Sequence, residues 1–214
     1  MKELMRALAV DSPGRTAIRE VPVPRIGAYE ALCRILYCAT CSGTDRHIRD
    51  GTFPYPISYP TILGHESVGE VVRLGDRVRY FRVGDLVTKV GAPATDSMGS
   101  AWGGFAEYGV ARDFRAMQED GLPAGEWAWP RYHLVWDVTL DPRQAPMAIT
   151  WRETQSFLER MGKIRGTRGL VIGSGGVGLS FAACARILGA GDVTVLGNPA
   201  RTDRALRVGS ARLV

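Results

Sequence analysis

Cysteine is scarce in this 214-residue sequence: Cys33, Cys38, Cys41 and Cys184 are too few and too unevenly spaced for a disulfide framework. That scarcity favours a reducing, cytoplasmic setting. Lysine is scarcer still, at Lys2, Lys89 and Lys163, so nearly all of the 27 basic residues are arginine. Set against 22 acids they leave a net charge of +5, but they are scattered and form no basic block. A nucleic-acid surface would gather such charges on one face, so no nucleic-acid partner is expected. No apolar run reaches the roughly 18 residues of a membrane span. The opening Met-Lys-Glu-Leu-Met-Arg lacks the apolar core of a secretory signal. Internal repeats and low-complexity tracts are missing too. What remains, at 45% hydrophobic content, is a globular chain of one or two domains with enough length to bury a core.

Residues 1 to about 112 are rich in strands and turns. Short apolar runs at Met5–Val10, Ala31–Cys38, Ser67–Leu74, Asp85–Val90 and Phe105–Ala111 are separated by Gly, Pro and Asp. Such regular short strands predict a β-barrel or sandwich. Residues 113–145 hold Trp127, Trp129 and Trp136 with no clear periodicity and read as a long excursion over the body. From Ala148 the spacing of Ile149, Trp151, Phe157, Leu158 and Met161 turns helical, and Gly162 suits its end.

The last segment carries the sharpest local pattern. A short strand, Gly169–Ile172, runs into Gly173-Ser-Gly175-Gly176-Val-Gly178. A helix over Leu179–Leu188 and a second strand over Asp192–Leu196 follow. This is a βαβ unit with a G-x-G-x-x-G turn. Gly173 makes the bend, Gly175 admits a dinucleotide pyrophosphate to the backbone, and Gly178 lets helix and strand pack closely. The helix N-terminus offers free N–H groups to the phosphates. A purely structural glycine turn is the plain alternative. At the end of the second strand, where an NAD site places an acid for the ribose hydroxyls, the sequence reads Gly197-Asn198-Pro-Ala-Arg201, with Arg204 beyond. The missing carboxylate and the two arginines favour NADP over NAD, unless both arginines lie on a solvated helix face.

Three further clusters stand out: Cys38-Ala-Thr-Cys41-Ser42-Gly-Thr44-Asp45-Arg-His47, then Gly64-His65-Glu66, then Arg152-Glu153-Thr154. Each alone is compatible with a structural role. Together they offer thiolate, imidazole and carboxylate, the donor set of a zinc site with an open position. A Cys₄ ribbon is excluded because there is no second C-x-x-C.

With these motifs in view, the sequence resembles the zinc-dependent medium-chain dehydrogenases, the family of alcohol, sorbitol, threonine and glucose dehydrogenases. Gly64-His65-Glu66-x₂-Gly69-x₅-Gly75-x₂-Val78 follows that family's zinc signature without a gap. Tyr59-Pro-Thr-Ile-Leu63, Phe81-Arg-Val-Gly-Asp85 and Gly103-Gly-Phe-Ala-Glu-Tyr108 flank it. The resemblance covers nearly the whole chain, least well across 113–145. It implies an α/β protein: a GroES-like catalytic β-barrel over 1–150, followed by the first βαβ portion of a Rossmann domain over 151–214. It also implies one catalytic Zn²⁺, held by Cys41, His65, Glu66 and Glu153. Thr44 would take the proton of an alcohol, polyol or sugar hydroxyl, His47 would pass it toward solvent, and Asp45 would orient a ligand. The nicotinamide cofactor, NADP or NAD, would lie on Gly173, Gly175, Gly176, Gly178, Asn198 and Arg201.

Two departures from the family pattern are visible. The ligand cysteine normally stands three residues before the Asp, where this chain has Ser42, so Cys41 beside it is expected to serve. No cysteine falls between Val90 and Gly104, so no structural zinc is expected. Alternatives to a zinc oxidoreductase are a truncated or degenerate relative that binds metal without turnover, and a zinc-free quinone-type reductase, which the donor set disfavours. From Gly169 to Val214 only 46 residues remain, against about 30 for each βαβ unit. An incomplete cofactor domain with exposed strand edges is therefore expected, although full-length relatives are homo-oligomers.

Overall fold

A computed structural model describes residues 3–209 and the backbone of Arg212 and Leu213. Met1, Lys2, Ser210, Ala211 and Val214, which fall in the expected domain ranges, lie outside the described residues. The chain divides into two compact units, Met1–Met147 and Ala148–Val214.

In the first unit, β1 (Leu4–Ser12) turns Met5, Ala7 and Ala9 inward on alternate positions, the period of a half-buried strand. It turns back at Pro13-Gly14 into β2 (Arg15–Pro22), with Met5 opposite Val21. The sequence did not signal β2, because all but one or two of its side chains face solvent and no apolar alternation survives. The antiparallel pair β3 (Glu30–Ala39) and β5 (Glu66–Leu74) forms the centre of a second sheet. Between them lie the short helix α1 (Thr44–Arg49) and β4 (Thr61–Ile62). Next come β6 (Leu86–Thr88), β7 (Gly99–Ser100) and β8 (Tyr108–Arg112). The strands sort into two four-stranded sheets, β2-β1-β4-β7 and β6-β5-β3-β8. Each backs a core of its own: Met5, Ala7, Ala9, Val21 and Ile62 for the first, Cys33, Val71, Phe81, Val87 and Val90 for the second. A third cluster, Val10, Ile48, Leu63 and Ala101, buries one face of α1.

The stretch 113–145 is more than an excursion. Buried Asp113 caps α2 (Phe114–Glu119), accepting from Ala116 N at 3.0 Å. Its other oxygen accepts from Arg79 N at 2.7 Å and Tyr80 N at 2.8 Å. A one-turn helix α3 (Ala124–Trp127) follows. Leu134 O and Trp136 N then bond Thr88 N and Leu86 O, so this segment covers the open edge of β6. His133 pins it: its Nδ1 accepts from Arg112 N at 2.9 Å, and the Lys89 carbonyl bonds the ring as well.

In the second unit, α4 (Ala148–Met161) precedes β9 (Gly169–Ile172), α5 (Gly176–Ile187), β10 (Val193–Leu196), α6 (Thr202–Arg207) and β11 (Arg212–Leu213). The three strands run parallel in the order β11-β10-β9. Helix α5 starts three residues earlier than its apolar spacing suggested, because the last glycines of the turn already adopt helical geometry. Leu158, Ala182, Cys184, Val193, Val195 and Ala205 form the core. On β9, by contrast, Leu170 and Ile172 are 63% and 77% exposed.

Burial holds the His133 imidazole neutral, pushing its pKa down to about 3 from an ordinary 6.5. The unfolded chain therefore binds the extra proton between these values, and stability falls as the pH drops below 6.5. The expected loss is up to about 1.4 kcal/mol per pH unit from this group alone. Urea titrations of wild type and His133→Gln at pH 7 and pH 4.5 check it: the variant should lose less stability on acidification, and parallel losses would exclude His133 as the cause.

Candidate functional site

Backbone geometry places His65. Gly64 has φ +99, and a Cβ there would stand 2.7 Å from Phe105 N, so only glycine fits. Its carbonyl accepts from Gly104 N at 2.8 Å, while Phe105 N donates to Leu63 O at 2.9 Å. The Gly64-His65-Glu66 and Gly103-Gly-Phe motifs are thus zipped together, although 36 residues of chain separate them. Glu66, the first residue of β5, is buried, with Ala39 of β3 opposite.

The turn between β3 and α1 supplies the next groups. Asp45 Oδ2 accepts from Cys41 N at 2.9 Å, and Asp45 N donates to Cys41 O at 3.2 Å, which closes the loop through exposed Ser42. The other Asp45 oxygen, Oδ1, is 3.6 Å from His65 Nδ1. Both atoms are buried and neither has a hydrogen-bond partner. A carboxylate beside one imidazole nitrogen is the arrangement that orients a metal-binding histidine through its far nitrogen. The His65 ring also packs on Trp102, with centroids 5.2 Å apart. Sequence reading missed Trp102, since nothing in a lone tryptophan announces a histidine contact.

Thr44 opens α1 and His47 lies one turn on, exposed, with Nδ1 2.8 Å from Thr52 Oγ1. Cys38 lies close to Asp45 and Glu66, and both charges act on it. Its sulfur wedges between Gly64 and Gly104, and burial, with the Asp45 charge, pushes its thiol up to about 12. Glu153 sits on the exposed face of α4 in the second unit. Among the described residues no three His, Cys, Asp or Glu side chains gather closely enough to hold a metal ion. Cys41, His65 and Glu66 in the first unit and Glu153 in the second supply donor chemistry suited to zinc, and Asp45 lies beside His65.

The second unit holds the glycine turn. Gly173 has φ +116, and a Cβ on Gly178 would stand 1.9 Å from Gly173 O. Gly175 caps α5 without any side-chain bond, which leaves the first-turn N–H groups uncapped by a side chain, the geometry suited to an anion. Arg201 reaches back over this turn. Its Nη1 donates to Ser174 O at 2.9 Å and lies 3.6 Å from where a Gly175 Cβ would be. Ser174 Oγ accepts from Asn198 N at 2.9 Å, and Asn198 Oδ1 accepts from Ala200 N at 2.9 Å. The turn and the end of β10 thus form one network, in which Ser174 has a part that the sequence pattern did not single out.

Comparison with known proteins bears on the family and the fold. Residues 27–120 match the alcohol dehydrogenase GroES-like domain. The chain is 30% identical to L-galactonate-5-dehydrogenase of Escherichia coli over 86% of its own length and 53% of that protein. It is 29% identical to sorbitol dehydrogenase of Halalkalibacterium halodurans over 92% of itself and 57% of that protein. Among solved structures, a protein described as a zinc-binding dehydrogenase of Sinorhizobium meliloti, bound to NADP, matches with a TM-score of 0.75 at 25% identity. That match covers the whole chain and 62% of the other. The chain spans little more than half the length of the relatives it matches.

The Gly178 contact sets a test. Gly178→Ala should destabilise the second unit by about 1–3 kcal/mol through forced overpacking. Denaturant unfolding of wild type and variant reads the difference, and an unchanged midpoint would show that the turn relaxes freely.

Proposed function

We propose that the chain belongs to the zinc-dependent medium-chain dehydrogenase family, a reading supported by the match of residues 27–120 to the alcohol dehydrogenase GroES-like domain, and that it is an oxidoreductase moving a hydride between an alcohol, polyol or sugar hydroxyl and a nicotinamide cofactor. One observation carries this proposal: the open N-terminus of α5, framed by Gly173, Gly175, Gly176 and Gly178, lies under the Arg201 guanidinium. Helix N–H groups and a guanidinium suit a pyrophosphate and a ribose 2′-phosphate. With no acid at the end of β10 to repel that phosphate, NADP is the preferred cofactor and Asn198 a neighbour of its ribose.

In the first unit Thr44 is the hydroxyl that accepts the substrate's proton, and exposed His47 delivers it to water. Asp45 fixes the tilt of His65. Cys41, His65 and Glu66, with Glu153 as a further donor, are the proposed zinc ligands. A zinc ion bound there supplies Lewis acidity toward a substrate oxygen. One zinc per chain is proposed, with no structural zinc, and a small-molecule substrate in a cytoplasmic protein. The alternative is a degenerate member that binds metal without turnover. Steady-state hydride transfer by the purified chain separates the two.

Two measurements test the assignments. Arg201→Ala should weaken NADPH binding roughly tenfold or more while leaving NADH nearly unchanged, as read by cofactor fluorescence. Equal losses for both cofactors would remove Arg201 from 2′-phosphate recognition. Metal analysis should find at most one zinc per chain, lost in Cys41→Ser and retained in Ser42→Ala. Undiminished zinc in Cys41→Ser would refute the ligand assignment.

A further inference from the structure

We propose that the first unit carries a binding site for a small organic carboxylate with a planar body, in a cavity of about 680 Å³ walled by Arg25, Lys89, Trp102, Arg112, Trp129 and Tyr132. Backbone strain points to it first. Among the described residues the two non-glycine residues with positive φ are Lys89 at 57° and Trp102 at 68°, and both line this cavity. Non-glycine residues enter that region at a cost and stay there only where surrounding structure enforces it, which is commonest at ligand sites.

The enforcement is visible. Ala92 N donates to Gly103 O at 3.0 Å, and Ser100 Oγ donates to Ala92 O at 2.7 Å. A Cβ on Gly91 would stand 1.6 Å from Trp102 O, so the two walls approach as closely as backbones can. On the opposite side, buried His133 bonds the backbones of both Arg112 and Lys89, fixing the strands that present two of the cations. The cavity is built rather than incidental.

Its chemistry selects the ligand. Three cations line it against one carboxylate, Glu30, which already pairs with Arg112 at 3.0 Å. The Lys89 ammonium lies 4.8 Å from the Tyr132 ring centroid. A positively charged pocket with aromatic walls binds an anion whose remainder is flat and apolar. Glu30 disfavours a doubly charged phosphate relative to a carboxylate. The site is independent of the dehydrogenase assignment, since no nucleotide is needed to fill it. Trp102 joins the two regions, with one wall of the cavity and the His65 contact on the same side chain.

Tryptophan fluorescence of the full chain without cofactor, titrated with benzoate, benzyl alcohol and inorganic phosphate, tests it. Benzoate should give a saturable change, with benzyl alcohol and phosphate each at least tenfold weaker. Lys89→Asn keeps a residue that tolerates positive φ and should weaken benzoate roughly tenfold, the size of a lost charge-assisted bond. Arg25→Gln, at an exposed position, should weaken it several-fold. No saturable benzoate signal, equal affinity for benzyl alcohol or phosphate, or wild-type affinity in both variants would each overturn the proposal. None of these outcomes bears on NADPH binding at α5, so the two assignments fail separately.

Discussion

Where Leu63 and Gly64 meet Gly104 and Phe105, two backbones run in direct contact and bond each other at 2.8 and 2.9 Å. Phe105 O in turn accepts from Leu8 N at 2.8 Å, which brings β1 into the same network. Much in the first unit follows from this closure. It holds His65 against Asp45 and Trp102, and it traps the Cys38 sulfur between two glycines. It also delivers the chain from Gly103 onward into β8. Backbone bonds are far less negotiable than side-chain packing, since a buried unpaired N–H costs about 1–3 kcal/mol. The site is therefore set by main chain first and decorated by side chains second.

The second unit is organised by a similar economy of space. Gly173 and Gly178 bring strand and helix together more closely than any side chain would allow, and Ser174, Asn198 and Arg201 then tie the end of β10 to the turn. In both units glycine makes the approach and a few polar groups fix it. The arginines elsewhere behave differently. Arg6, Arg19, Arg34 and Arg143 pair with Glu107, Asp11, Glu70 and Asp141 on the surface. Exposed pairs of this kind contribute about 0–1 kcal/mol each, and they leave the charge dispersed rather than pooled.

The legible parts of the fold were those whose signal is local. The β1, β3 and β5 strands show as apolar runs, and the glycine turn shows as a spacing, because burial and close approach constrain residue type at each position. The β2 strand was invisible because its partner, not its own composition, makes it a strand. The edge contribution of Leu134–Trp136 was invisible for the same reason. In the candidate site, the motifs singled out His65, Asp45 and Arg201 but not Trp102 or Ser174, whose contacts exist only once distant segments meet.

The three-stranded sheet carries a consequence for how the second unit opens. β10 has a neighbour on both sides, whereas β9 has one and exposes Leu170 and Ile172. Amide hydrogens of β10 can exchange with solvent only when strands separate or the unit unfolds, while the outward amides of β9 are already at the surface. Isotope exchange along Val193–Leu196 thus clocks the opening of the whole second unit, and exchange along Gly169–Ile172 clocks little beyond contact with water.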